Sequence, residues 1–138
     1  MTWDEIDLEK KVWVIGAERT KQRREVRLPI TEAMQEIIRW AEPLRRSDYV
    51  LTLTDKPLSD VAVSKQLKRF TSSDITVHGL RSSFRTWCQE SGVEEALAEM
   101  CLTHLVGSRT RNSYARSNML EQRMKVMTEW ANYLNRYD

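Results

Sequence analysis

Apolar residues in this 138-residue chain change their period once, and that change limits the folds open to it. Before residue 31 they alternate: Val26, Leu28 and Ile30 are interleaved with Arg27 and Pro29, and residues 11–17 form a second strand-like run. Successive side chains on a strand point to opposite faces, so the two runs, 11–17 and 24–30, predict a hairpin with Lys21 in a loop of five or six residues. After residue 31 the period lengthens to that of a helix. Thr31 is placed to cap a helix with Met34, Ile37, Ile38 and Ala41 on one face, ending before Pro43. Residues 49–53 read as a short third strand. Ser59 reads as the cap of a helix running to Phe70, with Val63, Leu67 and Phe70 inward and Lys65, Lys68 and Arg69 outward.

The clearest helix follows His78. Leu80, Phe84, Trp87 and Cys88 recur at i, i+4, i+7 and i+8, and Gly92 supplies its stop. Ser91 and Glu94 have the spacing of a capping box for the next helix, which turns Val93, Ala96, Leu97, Met100 and Cys101 inward and delivers His104 at its end. Residues 109–116 predict a short basic helix bearing Tyr114. Residues 119–134 predict an amphipathic helix with Leu120, Met124, Met127, Trp130 and Leu134 as its stripe. The expected fold class is α+β, mainly helical: a small antiparallel β-sheet near the N-terminus followed by a helical core.

Four Gly and three Pro are too few to divide the chain, so one compact domain or part of one is expected. No apolar run approaches the roughly 20 residues of a membrane-spanning helix, and the start, Met1-Thr2-Trp3-Asp4-Glu5, is acidic rather than signal-like, so a cytoplasmic location and no membrane partner are expected. Cys88 and Cys101 lie in helical patterns and read as two reduced, buried thiols. With neither a CxxC nor an HxxxH spacing, no metal is expected, and the competing reading is a zinc module using His78, Cys101 and His104.

Charge is unevenly placed. Residues 1–9 hold Asp4, Glu5, Asp7 and Glu9 with no base, whereas residues 18–30 hold Arg19, Lys21, Arg23, Arg24 and Arg27 against Glu18 and Glu25. A solvated hairpin and a DNA contact both account for such a run. On the helix after His78, the residues His78, Arg81 and Arg85 are three and four apart and therefore share a stripe. Metal-free transesterification at a DNA phosphate needs such groups. Guanidinium and imidazole donors stabilise the charge that builds on the nonbridging oxygens, a lysine on a hairpin can protonate the leaving oxygen, and a phenol forms an exchangeable ester.

In their order and spacing, Trp3-Asp4-Glu5-Ile6-Asp7-Leu8, Ala17-Glu18-Arg19-Thr20-Lys21, Arg27-Leu28-Pro29-Ile30, His78-Gly79-Leu80-Arg81, His104, Tyr114 and Leu120-Glu121-Gln122-Arg123 together resemble the tyrosine recombinases. The likeness is greatest to the C-terminal catalytic domain of phage and prophage integrases. It implies that Tyr114 is the nucleophile of a 3′-phosphotyrosyl intermediate and that Arg81 clamps the scissile phosphate. His78 and His104 would assist by hydrogen bonding or proton transfer, and Lys21 would protonate the leaving 5′ hydroxyl. No cofactor is implied. Double-stranded DNA is the implied partner, with Arg19, Arg23, Arg24, Lys65, Lys68, Arg69 and Arg85 as candidate contacts, and other integrase protomers could dock through residues 119–134.

The likeness also has gaps. The family carries a further clamping arginine on a helix ahead of the Trp-Asp-Glu-Ile-Asp stretch, and here Met1 stands two residues before Trp3. Residues 1–138 are thus expected to be a partial integrase catalytic domain, without the N-terminal DNA-binding domain or the first catalytic helix. Impaired recombination is expected of it, the alternative being a non-enzymatic DNA-binding prophage remnant. Thr103, before His104, stands where the family commonly has Gly or Ala. Against each assignment there is a plainer one: Tyr49, Tyr133 and Tyr137 compete with Tyr114, and Arg81 could simply pair with a carboxylate.

Overall fold

A computed structural model of the chain describes all residues except 22, 53, 72–74, 105–118 and 138. Strands β1 (Ile6–Asp7), β2 (Val12–Ile15) and β3 (Val26–Pro29) form an antiparallel sheet in that order. Ile6 faces Trp13, and Trp13 faces Leu28, so one apolar row crosses the sheet. Ile6 and Trp13 of this row pack, with the fully buried Ile30, against Ile38 and Ala41 of helix α1 (Glu32–Ala41). The Thr31 hydroxyl caps α1 by accepting from the Met34 N–H at 3.3 Å. The strands are shorter than alternation alone suggests, and the β2–β3 connection spans residues 16–25 because residues 17–19 coil into a 3-10 turn.

Among the described residues the third strand expected at 49–53 reduces to a single bridge between Thr2 and Tyr49. The Trp3 N–H reaches the Asp48 carbonyl and the Val50 N–H reaches the Met1 carbonyl, but the chain turns into a 3-10 helix at Trp3–Glu5 and the pairing stops there. Helix α2 (Asp60–Phe70) begins at the expected cap, with the Ser59 hydroxyl accepting from the Ala62 N–H. Its expected inner stripe does not form as one. Val63 is 40% and Phe70 86% exposed, and no residue of α2 is buried.

Helices α3 (Val77–Glu90), α4 (Glu95–Cys101) and α5 (Leu120–Leu134) enclose a second core of Phe84, Cys88, Ala98, Cys101, Leu102 and Val126. Trp87 and Trp130 close its edge with ring centroids 5.3 Å apart. Cys88 and Cys101 are free and buried there. The capping box expected from Ser91 and Glu94 is absent: Glu94 is the N-cap of α4 and makes no side-chain cap bond. Ser91 instead ends α3, and Gly92 follows at φ +70°. On α5 the buried residues are Arg123 and Val126, whereas Leu134, expected inside, is 49% exposed. Arg123 is 4% exposed and donates through Nη1 to the Arg27 carbonyl at 2.8 Å, joining α5 to the sheet. Among the described residues no helix is long and apolar enough to cross a membrane.

Candidate phosphate-binding site

Two helix ends build the site. At the start of α3 the Thr76 hydroxyl accepts from the Gly79 N–H at 2.9 Å, so the cap is Thr76, and His78 is left exposed on the first turn. Arg81 follows one turn later on the same stripe. At the end of α4 the chain makes a Schellman turn: the Thr103 N–H bonds the Met100 carbonyl at 3.1 Å and the His104 N–H bonds the Glu99 carbonyl at 2.9 Å. Such a turn needs a left-handed residue after the cap, and Thr103 supplies it at φ 62°. The end of α3 is built the same way around Gly92, where the left-handed conformation is free of side-chain crowding.

The turn at Thr103 brings His104 back to α3. Arg81 Nη2 lies 2.7 Å from His104 Nε2 and donates to the Leu102 carbonyl at 2.6 Å. That carbonyl is one of those left without an intrahelical partner at a helix C-terminus, where a cation is favoured. His104 Nδ1 lies 2.6 Å from Glu99 Oε2, and Glu99 Oε1 lies 2.8 Å from Arg85 Nε. The four side chains form one chain of contacts, Arg81–His104–Glu99–Arg85. The Glu99 side chain is 18% exposed and the His104 side chain 45%, so the carboxylate sits beneath the imidazole and the imidazole faces solvent. An open cleft of about 590 Å³ between α3 and α4 borders the far end of this set, with Ser82, Arg85, Gln89, Glu95 and Glu99 among its lining.

The other sequence-predicted residues are placed as follows. Lys21 is exposed in the β2–β3 connection, on a loop that Thr20 closes by donating to the Arg24 carbonyl at 2.8 Å and accepting from the Arg24 N–H at 3.1 Å. Arg23, at φ 50°, and Arg24 are exposed on the same loop. Arg19 is turned back onto Glu5 and Thr2, and Arg85 onto Glu99, so each of these expected DNA contacts already has an internal partner. Lys65, Lys68 and Arg69 are exposed along α2, as expected. Tyr114 and the expected helix at 109–116 lie outside the described residues. Glu99 is the member that sequence reading missed, although its position five residues before His104 is the separation that a Schellman turn closes. No group of three or more His, Cys, Asp or Glu arranged to hold a metal occurs among the described residues.

Residues 1–121 match the model of the phage integrase family. Among curated proteins the chain is 32% identical to prophage integrase IntA of Escherichia coli (strain K12), over 99% of this chain and 34% of that protein. It is 31% identical to prophage integrase IntZ of the same strain, over 96% of the chain and 34% of the relative. With the integrase of Shigella phage Sf6 it shares 25% identity over 98% of the chain and 37% of the relative. The chain thus spans about a third of the length of the curated relatives it matches. No solved structure matches it significantly.

Proposed function

This chain belongs to the phage integrase family, and we propose that it is the strand-cutting part of a site-specific DNA recombinase. The observation that carries this reading is the contact between Arg81 and His104, 23 residues apart in sequence and 2.7 Å apart in space, at a solvent-facing helix end. A guanidinium held in place by an imidazole on one exposed face can donate to the nonbridging oxygens of a phosphodiester, and a fixed donor of that kind stabilises the charge of a pentacoordinate transition state. In this reading Arg81 clamps the scissile phosphate, His78 and His104 assist, Lys21 protonates the leaving 5′ oxygen, and Tyr114 attacks to give a 3′-phosphotyrosyl ester. Ester formation and release of the 5′ hydroxyl balance without a cofactor, because the energy of one phosphodiester is kept in the other.

Duplex DNA is held, in this proposal, by the exposed bases Lys21, Arg23 and Arg24 on the β2–β3 loop and by Lys65, Lys68 and Arg69 on α2. The family resemblance implies a second clamping arginine beside Arg81, and since loss of one donor from an oxyanion-binding set costs about 3 kcal/mol, impaired cutting is proposed for any form of the protein that lacks it. Residues 119–134 are the proposed contact with other protomers, and the domain is proposed to act in the cytoplasm.

Incubation with a nicked suicide duplex, followed by denaturing electrophoresis, tests the reading. A covalent protein–DNA adduct that is lost in Tyr114→Phe and in Arg81→Ala is expected. An adduct that persists in Tyr114→Phe removes Tyr114 as the nucleophile. Salt-sensitive duplex binding with no adduct from any preparation, including one that supplies the remaining part of a relative, leaves the non-enzymatic DNA-binding alternative.

A further inference from the structure

We propose that Glu99 is a positioning residue that sets the proton arrangement of His104 and, through it, the orientation of Arg81. A carboxylate accepts hydrogen bonds and cannot donate them, so the ring nitrogen 2.6 Å from Glu99 Oε2, Nδ1, carries the proton. A guanidinium donates and cannot accept, so the nitrogen 2.7 Å from Arg81 Nη2, Nε2, presents its lone pair. The two neighbours select the same neutral tautomer. The backbone repeats the selection of position, since the His104 N–H is held by the Glu99 carbonyl at 2.9 Å. Glu99 therefore grips His104 at both its main chain and its ring.

Glu99 is itself held. Its Oε1 lies 2.8 Å from Arg85 Nε as an ion pair without hydrogen-bond alignment, so the carboxylate stands between a cation of α3 and the imidazole. Among the described residues, the charged groups that face the ring are Arg81 from α3 and Glu99 from α4, with Arg85 behind the carboxylate. The consequence at a phosphate rests on the recombinase reading above. With Nη2 committed to the Leu102 carbonyl and to His104, the Nε and Nη1 edge of Arg81 has no partner among the described residues and is the edge left for an anion. Removing Glu99 frees the ring to turn or to move its proton to Nε2, where it would confront the Arg81 N–H as a second donor. This assigns Arg85 a new place in the site, as the support of a carboxylate rather than as a DNA contact.

The full chain carries two histidines, which makes a direct test practicable. Long-range nitrogen–proton NMR on the ¹⁵N-histidine-labelled protein, at a pH where the ring is neutral, reports which nitrogen bears the proton, and His78→Gln assigns the two rings. The expected result is protonation of His104 at Nδ1 in the wild type and a shift toward the Nε2–H form in Glu99→Ala. An Nε2–H tautomer in the wild type, or an unchanged tautomer in a folded Glu99→Ala protein, overturns the proposal. The wild-type spectrum decides alone if that variant does not fold.

Suicide-DNA adduct formation gives a second readout. A loss of roughly ten-fold or more is expected in Glu99→Ala, the scale seen when a group that orients a histidine is removed, with partial recovery in Glu99→Gln, whose amide oxygen can still accept. Equal adduct rates in wild type and Glu99→Ala overturn the proposal. A wild-type protein that makes no adduct counts against the recombinase reading instead, and the tautomer spectrum still decides the role of Glu99.

Discussion

Arg123 Nη1 donates to the Arg27 carbonyl at 2.8 Å, a bond between residues 96 positions apart that fastens α5 to β3. Burial draws the guanidinium below its ordinary pKa, and the neighbouring Cys101 opposes that shift. Truncation leaves a carbonyl without its donor and a hole where the arginine stem packed. Arg123→Ala is therefore expected to lower stability by about 2–4 kcal/mol, and Arg123→Met, which refills the space without the hydrogen bond, by less. Urea unfolding followed by tryptophan fluorescence measures both, and an unchanged midpoint in Arg123→Ala would show the bond to be energetically idle.

Thr103 adopts φ 62°, a conformation crowded for a β-branched residue, and it does so where a Schellman turn calls for glycine. Thr103→Gly relieves that crowding but loosens the unfolded chain. The net expectation is a gain of about 1 kcal/mol, with the position of His104 retained. A lower thermal midpoint in the glycine variant would mean that the threonine side chain contributes more than its backbone costs.

Burial, and then the neighbouring Cys101, push the Cys88 thiol up to about 11, and burial likewise raises Cys101 against the opposing Arg123. At pH 8 about one Cys88 in a thousand is then thiolate, even before access is considered. Both thiols are expected to resist a disulfide reagent such as dithionitrobenzoate in the native protein and to react together on addition of urea. Rapid modification without denaturant would show that the α3–α4–α5 core opens easily.

Glu5 joins the N-terminal turn to β2. Burial pushes its carboxyl up, but the Thr2 backbone N–H, the Trp13 indole and the Arg19 charge outweigh that and hold it below the ordinary glutamate value. A depressed folded pKa stabilises in full above the unfolded value, and the contribution is lost as pH falls through the folded one. Glu5→Gln is expected to cost about 1 kcal/mol at neutral pH and to flatten the loss of stability on acidification in that window. Urea midpoints measured from neutral pH into the acid range check the slope. A variant whose midpoint falls as steeply as the wild type places the acid sensitivity elsewhere.

Local chemistry was legible in the sequence. Thr31 and Ser59 cap their helices because a hydroxyl bonding an N–H three residues on needs nothing from the rest of the fold. Gly92 ends α3 for a similarly local reason. What needed the tertiary structure was less readable. The period of α2 announces an apolar stripe, but it cannot say whether anything covers it, and Phe70 stands 86% exposed. Arg123 is not part of the apolar stripe expected for residues 119–134, yet it is buried, with its guanidinium received by a β-strand carbonyl nearly a hundred residues away. In the candidate site, Arg81 and His104 were named from the sequence and meet in space, while Glu99 was hidden inside a helix read for its apolar face. Its partners lie on another helix and beyond its own helix's end.

The reach of Glu99 depends on a count. Helix α4 spans Glu95–Cys101, and the five steps from Glu99 to His104 are what bring the carboxylate under the ring. One residue inserted between them would rotate the downstream chain by about 100° and carry the imidazole off its seat, away from Arg81 as well. This stretch therefore behaves as a gauge of fixed length, indifferent to many exchanges of side chain on its outer surface and intolerant of any change in its tally of residues.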